Sequence, residues 1–314
     1  MSAILHKLGK LRDPEIRAKN LEAARLAARE AWWDIARPAL PEPIFVVGCS
    51  RSGTTVTYET LALAPGLRSL GYEVPQLWHR IWGPWHNGWH SEAATAEDAR
   101  PAHGRLARRF YYARLGAGRI LDKTCINVLR VPYLARLFPD AHFVYVHRDG
   151  RDNVSSLMDG WRKDRHFALT QFLGPCPEEV AIEGGRFREW HFFLPPGWRD
   201  YNRASLAEAC AHQWISANRL ALEGARHVDP DRWHVLRYEA LLEAPVEAFE
   251  RLYARLGLEF TPAIRRRCAE LARHPTSLVS GPPKRAKWKE RNREAVESIL
   301  DRIAPMQERL GYDA

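Results

Sequence analysis

The run Ile44-Phe45-Val46-Val47-Gly48-Cys49-Ser50-Arg51-Ser52-Gly53-Thr54-Thr55 joins four apolar residues to a loop of small, polar and basic ones. A short, uniformly apolar run ending at glycine fits a strand buried on both faces of a parallel sheet. The residues that follow, VTYETLALA from Val56, read as a helix stopped at Pro65-Gly66. A strand, a loop and a helix in this order can hold a phosphate, because loop N–H groups point inward and the helix offers its partial positive end. Each helix-terminus interaction contributes about 0.3–1 kcal/mol when exposed and up to ~2 when partly buried, so several amides, Arg51, Thr54 and Thr55 would have to act together.

Two other readings of this loop stay open on the residues alone. One is a Gly/Ser turn that binds nothing. The other is a nucleoside-triphosphate loop, since Gly48 and Gly53 have its glycine spacing. That loop needs a lysine after the second glycine to reach the β- and γ-phosphates, and Thr54 stands there instead.

Working outward, the strand–loop–helix pattern recurs. HFVYVH (142–147) is β-branched and aromatic, RDGRDN is a turn, and VSSLMDGW begins a helix. RILDK (119–123) reads as a short strand and VLRVPYLARLF as a helix after it; WHVLR (233–237) is a further strand followed by the helical YEALLEAPVEAFERLYARLG. Strands alternating with helices predict a parallel sheet with helices on both faces. Asp13-Pro14-Glu15 starts an N-terminal helix over 13–37, with a capping side chain, proline at the first helical position and then an acid. The last stretch, REAVESILDRIAPMQERLGY, reads as one helix bent at Pro305. Residues 78–118 and 162–204, rich in Trp, His, Gly and Pro, read as loops or lids.

Composition adds bounds. The 314 residues are 46% hydrophobic and 27% charged, which suits a single α/β domain with insertions over 1–314. The net charge of +9 fits a solvated basic surface or an anionic ligand, nucleic acid or membrane surface, and cannot choose among them. Cys49, Cys125, Cys176, Cys210 and Cys268 are odd in number and widely spaced, which argues against a disulfide framework or a cysteine zinc site. No stretch reaches the ~18 apolar residues of a membrane span, and the N-terminal apolar run is too short for a signal peptide, so a cytoplasmic protein is expected.

A second anion site follows the 142–147 strand. Arg148 lies at the strand end and Ser156 eight residues on, within the next helix, so the two can converge on one phosphate. Charge-assisted bonds of this kind are worth about 1.5–3 kcal/mol. An Arg–Asp network capping the helix is the alternative.

At this point a resemblance carries the reading further. PIFVVGCSRSGTT resembles the 5′-phosphosulfate loop of sulfotransferases that use 3′-phosphoadenosine-5′-phosphosulfate (PAPS), whose bacterial and tyrosylprotein branches typically read G-x-P-R-S-G-T-T. Ser50 replaces the proline. FVYVHRDGRDNVSS resembles the family's 3′-phosphate block, an arginine at a strand end with a serine eight residues later. The resemblance covers residues 43–160 and 233–312 in four blocks. It implies a P-loop-like α/β domain, PAPS as co-substrate, a hydroxyl-bearing acceptor, and neither a metal nor a nucleic-acid partner.

It also implies roles. Arg51, Ser52, Gly53, Thr54 and Thr55 bind the 5′-phosphosulfate, and Arg148 with Ser156 binds the 3′-phosphate. Glu73, in LRSLGYEVPQLW, resembles the catalytic glutamate of the tyrosylprotein branch and is the expected general base, with His79 as the fallback. Lys123 matches a lysine block that ends in Phe138-Pro139-Asp140-Ala141, with Cys125 in place of the usual proline; it is expected to work with Arg51 on the leaving oxygen. Tyr238, in RYEALLEAP, matches a block that contacts the nucleotide. Arg285 and Lys287 lie in TSLVSGPPKRAKWKERN, which resembles the basic loop closing over the donor and also holds Ser277, Ser280, Lys284 and Trp288. The rivals are an ATP-using kinase and a non-catalytic basic protein that binds polyanions. His86 and His90 have metal-ligand spacing, but Gly88 and Pro84 argue against a zinc-binding helix. Trp78, Trp82, Trp85 and Trp89 fit either an aromatic acceptor wall or the packing of an irregular loop.

Overall fold

A computed structural model describes residues 13–163, 167–271 and 284–313. In chain order the principal elements are α1 (Pro14–Ala36), β1 (Ile44–Val47), α2 (Thr54–Leu61), β2 (Leu67–Ser69), α3 (Pro75–Ile81), α4 (Pro101–Leu115), β3 (Arg119–Asp122) and α5 (Val131–Leu137). Then come β4 (His142–His147), α6 (Gly150–Trp161), α7 (Leu206–Gly224), β5 (Trp233–Arg237), α8 (Tyr238–Glu243), α9 (Pro245–Arg255), α10 (Pro262–Glu270) and α11 (Leu300–Arg309).

The five strands form one parallel sheet in the order β2-β3-β1-β4-β5. Alternation along β1 and β4 divides the core between the two faces. Phe45, Val47, Phe143 and Tyr145 enter one apolar cluster with residues of α4, α5, α6 and α7. Ile44, Val46, Val144 and Val146 enter the other with residues of α2, α9 and α10. Both faces are covered, which explains why these strands read as unbroken apolar runs.

Several elements depart from the sequence reading for local reasons. β2 is a three-residue edge strand without a fully buried side chain, so no periodicity marks it. α4 lies inside the stretch expected to be irregular; its proline stands at the first turn, where a missing N–H is harmless. α2 begins at Thr54 and α6 at Gly150, so each helix starts inside the loop it caps. The C-terminal stretch breaks between Arg293–Glu297 and α11, while Pro305 is accommodated inside α11. Asp13 caps α1 as expected, accepting from the Glu15 amide at 2.9 Å.

Candidate active site

Each strand delivers a chemically distinctive residue just beyond its C-terminal end: Glu73 after β2, Lys123 after β3, Arg51 after β1, Arg148 after β4 and Tyr238 after β5. In open α/β sheets this edge is where ligands bind. All five line one cavity of about 870 Å³, together with Gly53, Thr54, Thr55, Ser156 and Lys287.

The β1–α2 loop is held by its neighbour strand. Gly48 must be glycine, since a Cβ there would stand 2.3 Å from the Val146 carbonyl oxygen. The Ser52 hydroxyl donates to that same carbonyl at 3.0 Å and is fully buried, so Ser52 braces the loop and does not line the cavity. Gly53 has φ +104°, and a Cβ there would meet the Tyr238 ring at 2.4 Å, so the ring lies flush on the loop. Arg51 itself has φ 71°, a conformation uncommon outside glycine and often found where a site is preorganised. Asn153, on α6, donates to the Ser50 carbonyl at 2.9 Å and ties the loop to the second motif.

Arg51, Ser156 and Arg148 converge. Arg51 donates from Nε to Ser156 Oγ at 3.3 Å, and Arg148 donates to the Arg51 carbonyl at 3.2 Å while its guanidinium carbon lies 4.5 Å above the Tyr238 ring. Burial, and then the charge of Arg148, hold Arg51 below its ordinary pKa. The buried Arg148 Nε has no hydrogen-bond partner, a donor that an anion would satisfy. Lys287 is lowered by burial and then by the charges of Arg291, Arg148 and Lys284.

The segment carrying Lys287 is pinned to α6. Asp152 accepts from the amides of Ala286 at 2.9 Å and Trp288 at 3.1 Å, and Asn292 donates to Ser155 Oγ at 2.8 Å. Arg285 pairs with Glu243 and is not among the cavity's lining residues. Ser277 and Ser280 lie outside the described residues.

Glu73 and Lys123 form an ion pair beside Arg51's loop, with the lysine side chain 8% exposed and the glutamate 34%. The second carboxylate oxygen of Glu73 accepts from the Cys125 amide at 2.8 Å. Its backbone is fixed as well, since the Val74 amide donates to Thr124 Oγ1 at 3.2 Å and the Gly71 amide to Tyr58 Oη at 2.9 Å. Asp122 gathers Thr124 at 3.2 Å and Asn127 at 2.8 Å, and burial pushes its carboxyl up to about 6.

His79 also lines the cavity, and a feature absent from the sequence reading holds it: the fully buried Glu92. Glu92 contacts His79 Nε2 at 2.5 Å and accepts from the Leu194 amide at 2.6 Å. A glutamate in a loop, engaging groups 13 and 102 residues away, leaves no local signal. The four tryptophans lie elsewhere: Trp78 is fully buried in the core, Trp85 is 45% exposed, and none of the four lines the cavity. Among the described residues no group of three or more His, Cys, Asp or Glu gathers to hold a metal, and no helix is long and apolar enough to cross a membrane.

A profile of the sulfotransferase family matches residues 43–182 and 183–262, which takes in every strand and all five strand-end residues. The chain belongs to the sulfotransferase family. No curated protein matches this family member by sequence. Among solved structures it is similar to the sulfotransferase STF9 from Mycobacterium avium, with 14% identity over 96% of this chain and 87% of that one and a TM-score of 0.55. It is also similar to the sulfotransferase STF1 from Mycobacterium tuberculosis, with 16% identity, 78% and 75% of the two chains and a TM-score of 0.48. A mouse sulfotransferase complexed with PAP, SULT7A1, shares 13% identity over 86% of each chain with a TM-score of 0.47. At these identities the likeness is one of fold, and the family assignment rests on the profile.

Proposed function

We propose that this sulfotransferase uses PAPS as donor and transfers its sulfuryl group to a hydroxyl acceptor by in-line displacement. The observation that carries the reading is the convergence of Arg51, Ser156 and Arg148, which offers two guanidiniums and a hydroxyl to anions on one wall of the cavity. A nucleotide with a phosphate at each end of its ribose suits that wall better than a simple triphosphate, because the loop has Thr54 where a triphosphate site needs lysine.

In this reading Gly53, Thr54 and Thr55 supply amides and hydroxyls to the 5′ end, with Ser52 bracing the loop. Arg148 and Ser156 hold the 3′-phosphate, Tyr238 positions Arg148, and Lys287 adds charge. The bound donor supplies an activated sulfuryl group with a phosphate leaving group. Glu73 accepts the acceptor's hydroxyl proton, and its fixed contacts with Lys123 and the Cys125 amide aim the carboxylate. A positioned base typically contributes 10²–10⁴-fold. Lys123 keeps further N–H donors beyond the one facing Glu73, and with Arg51 it stabilises charge building on the leaving oxygen.

The test is a thermal-shift titration with 3′-phosphoadenosine 5′-phosphate against ADP and AMP. At about 100 times its Kd, a ligand that binds only the folded chain adds ~2.7 kcal/mol of stability. Selective stabilisation by the 3′-phosphorylated nucleotide is expected. Equal or greater stabilisation by ADP would remove the 3′-phosphate assignment.

A further inference from the structure

An apolar stretch of the cavity wall stands beside Glu73, next to the polar Gln76, His79 and Lys123, and a chain of contacts places it there. Cys125, whose amide donates to Glu73, donates from Sγ to the Phe192 carbonyl at 3.4 Å. The Phe192 ring stacks on Phe167 with centroids 4.6 Å apart, and Phe167 lies beneath the Arg51 guanidinium at 5.9 Å. Ile126, next to Cys125, and Leu169 and Phe172, beyond Phe167, also line the cavity, with Tyr72 59% exposed beside Glu73. The 162–204 insertion therefore builds much of this wall. Lys284, Lys287 and Arg291 line the cavity as well, as do Arg162 and Lys163 of the same insertion.

We propose that the acceptor is a hydroxyl group carried on a small apolar body, an aryl or aliphatic alcohol. The inference rests on the sulfuryl-transfer reading and adds the substrate class to it. A sugar or an acidic peptide seated against Phe167, Phe172 and Phe192 would lose water from polar groups that those rings cannot satisfy. An alkyl or aryl body would gain by the same desolvation. Size points the same way. Small-molecule pockets span about 300–1,000 Å³, and a cavity of about 870 Å³ shared with a nucleotide leaves room for a compact acceptor.

The test uses the full chain with sulfur-labelled PAPS and four probes: octanol, naphthol, a hexosamine disaccharide and an acidic tyrosine peptide. Transfer to octanol or naphthol with kcat/KM at least about tenfold above the other two is expected. In a second arm, Phe172→Ser should raise KM for the preferred alcohol by about tenfold and leave KM for PAPS unchanged. Phe172 is only half-buried, so the variant should fold, with a thermal melt as the check. Preference for the disaccharide or the peptide, refusal of both alcohols by a protein that binds the nucleotide, or an unchanged alcohol KM in the variant overturns the apolar-acceptor assignment. Failure to bind 3′-phosphoadenosine 5′-phosphate at all overturns the donor reading beneath it, which the thermal-shift titration detects separately.

Discussion

Arg51 Nε donates to Ser156 Oγ at 3.3 Å across 105 residues of chain, so the loop after β1 and the helix after β4 meet through their anion-seeking side chains. Arg148 approaches the same junction from the other side through the Arg51 carbonyl. Two guanidiniums this close repel each other, and an anion between them relieves that repulsion. The two motifs therefore meet in one junction of anion-seeking side chains.

Arg148→Ala removes the charge-assisted contact assigned to the 3′-phosphate. Such a bond is worth about 1.5–3 kcal/mol, so affinity for 3′-phosphoadenosine 5′-phosphate should fall roughly 10- to 150-fold in a calorimetric titration. Ser156→Ala should cost about tenfold or less. Binding of ADP, which has no 3′-phosphate, should change much less in both variants. Equal losses for the two nucleotides would take the 3′-phosphate away from Arg148.

Glu73→Gln keeps the shape of the side chain and an oxygen for the Cys125 amide, but it cannot accept a proton. Nucleotide affinity should stay within about twofold while kcat falls by about 10²–10⁴. Normal turnover would remove Glu73 from its role. His79, backed by Glu92, would then be the group to vary next.

How much of this site the sequence disclosed depends on how local each contact is. β1, β4 and the loops after them were legible because a buried parallel strand is a short apolar run and its loop carries phosphate-binding residues in order. Arg148 stands at the end of β4 and Ser156 on the helix that follows, so their spacing alone predicted that both would face the same cavity. β2 was not legible, since three edge residues of intermediate burial carry no period. Glu92, Phe167 and Phe192 reach the site from irregular segments, and only tertiary packing decides which of the many aromatic residues in the two insertions faces the cavity. Trp78 and Phe192 look alike in sequence; one fills the core and the other lines the site.

Gly48→Ala tests the joint between β1 and β4. The added methyl would stand 2.3 Å from the Val146 carbonyl oxygen, a backbone atom in the middle of the sheet, and 2.9 Å from Ser52 Oγ. Neither can yield without parting the strands or breaking the Ser52–Val146 hydrogen bond. Overpacking of this kind costs about 1–3 kcal/mol, read as a lower urea midpoint with an unchanged slope. Nucleotide affinity should fall with it, because the same hydrogen bond fixes the loop. A variant with wild-type stability would show that the sheet is less tightly set than this geometry requires.

Acid should weaken the fold well before it protonates ordinary carboxylates. Burial brings His147, His191 and His234 down from 6.5 to about 4, so each is neutral in the folded chain and charges readily in the unfolded one. For a depressed histidine the unfolded state binds more protons between those two values. Stability is therefore complete above about pH 6.5 and lost as pH falls toward 4. Asp122, raised to about 6, and Asp152, also raised by burial, work in the opposite direction over part of this range, while His103, His142 and His212, also lowered by burial, add to the histidine side. His147 is the clearest case. Tyr312 Oη lies 3.0 Å from its Nδ1 and donates to Glu239 at 2.8 Å, and Tyr145 stacks on the ring; burial outweighs the nearby Glu239 charge, which favours protonation, and Arg237 adds a smaller like charge that opposes it. Thermal melts should show Tm falling between about pH 6.5 and about pH 4.5, and the fall should be shallower in His147→Gln. A Tm that stays level across that range would mean these histidines are solvated in the folded chain.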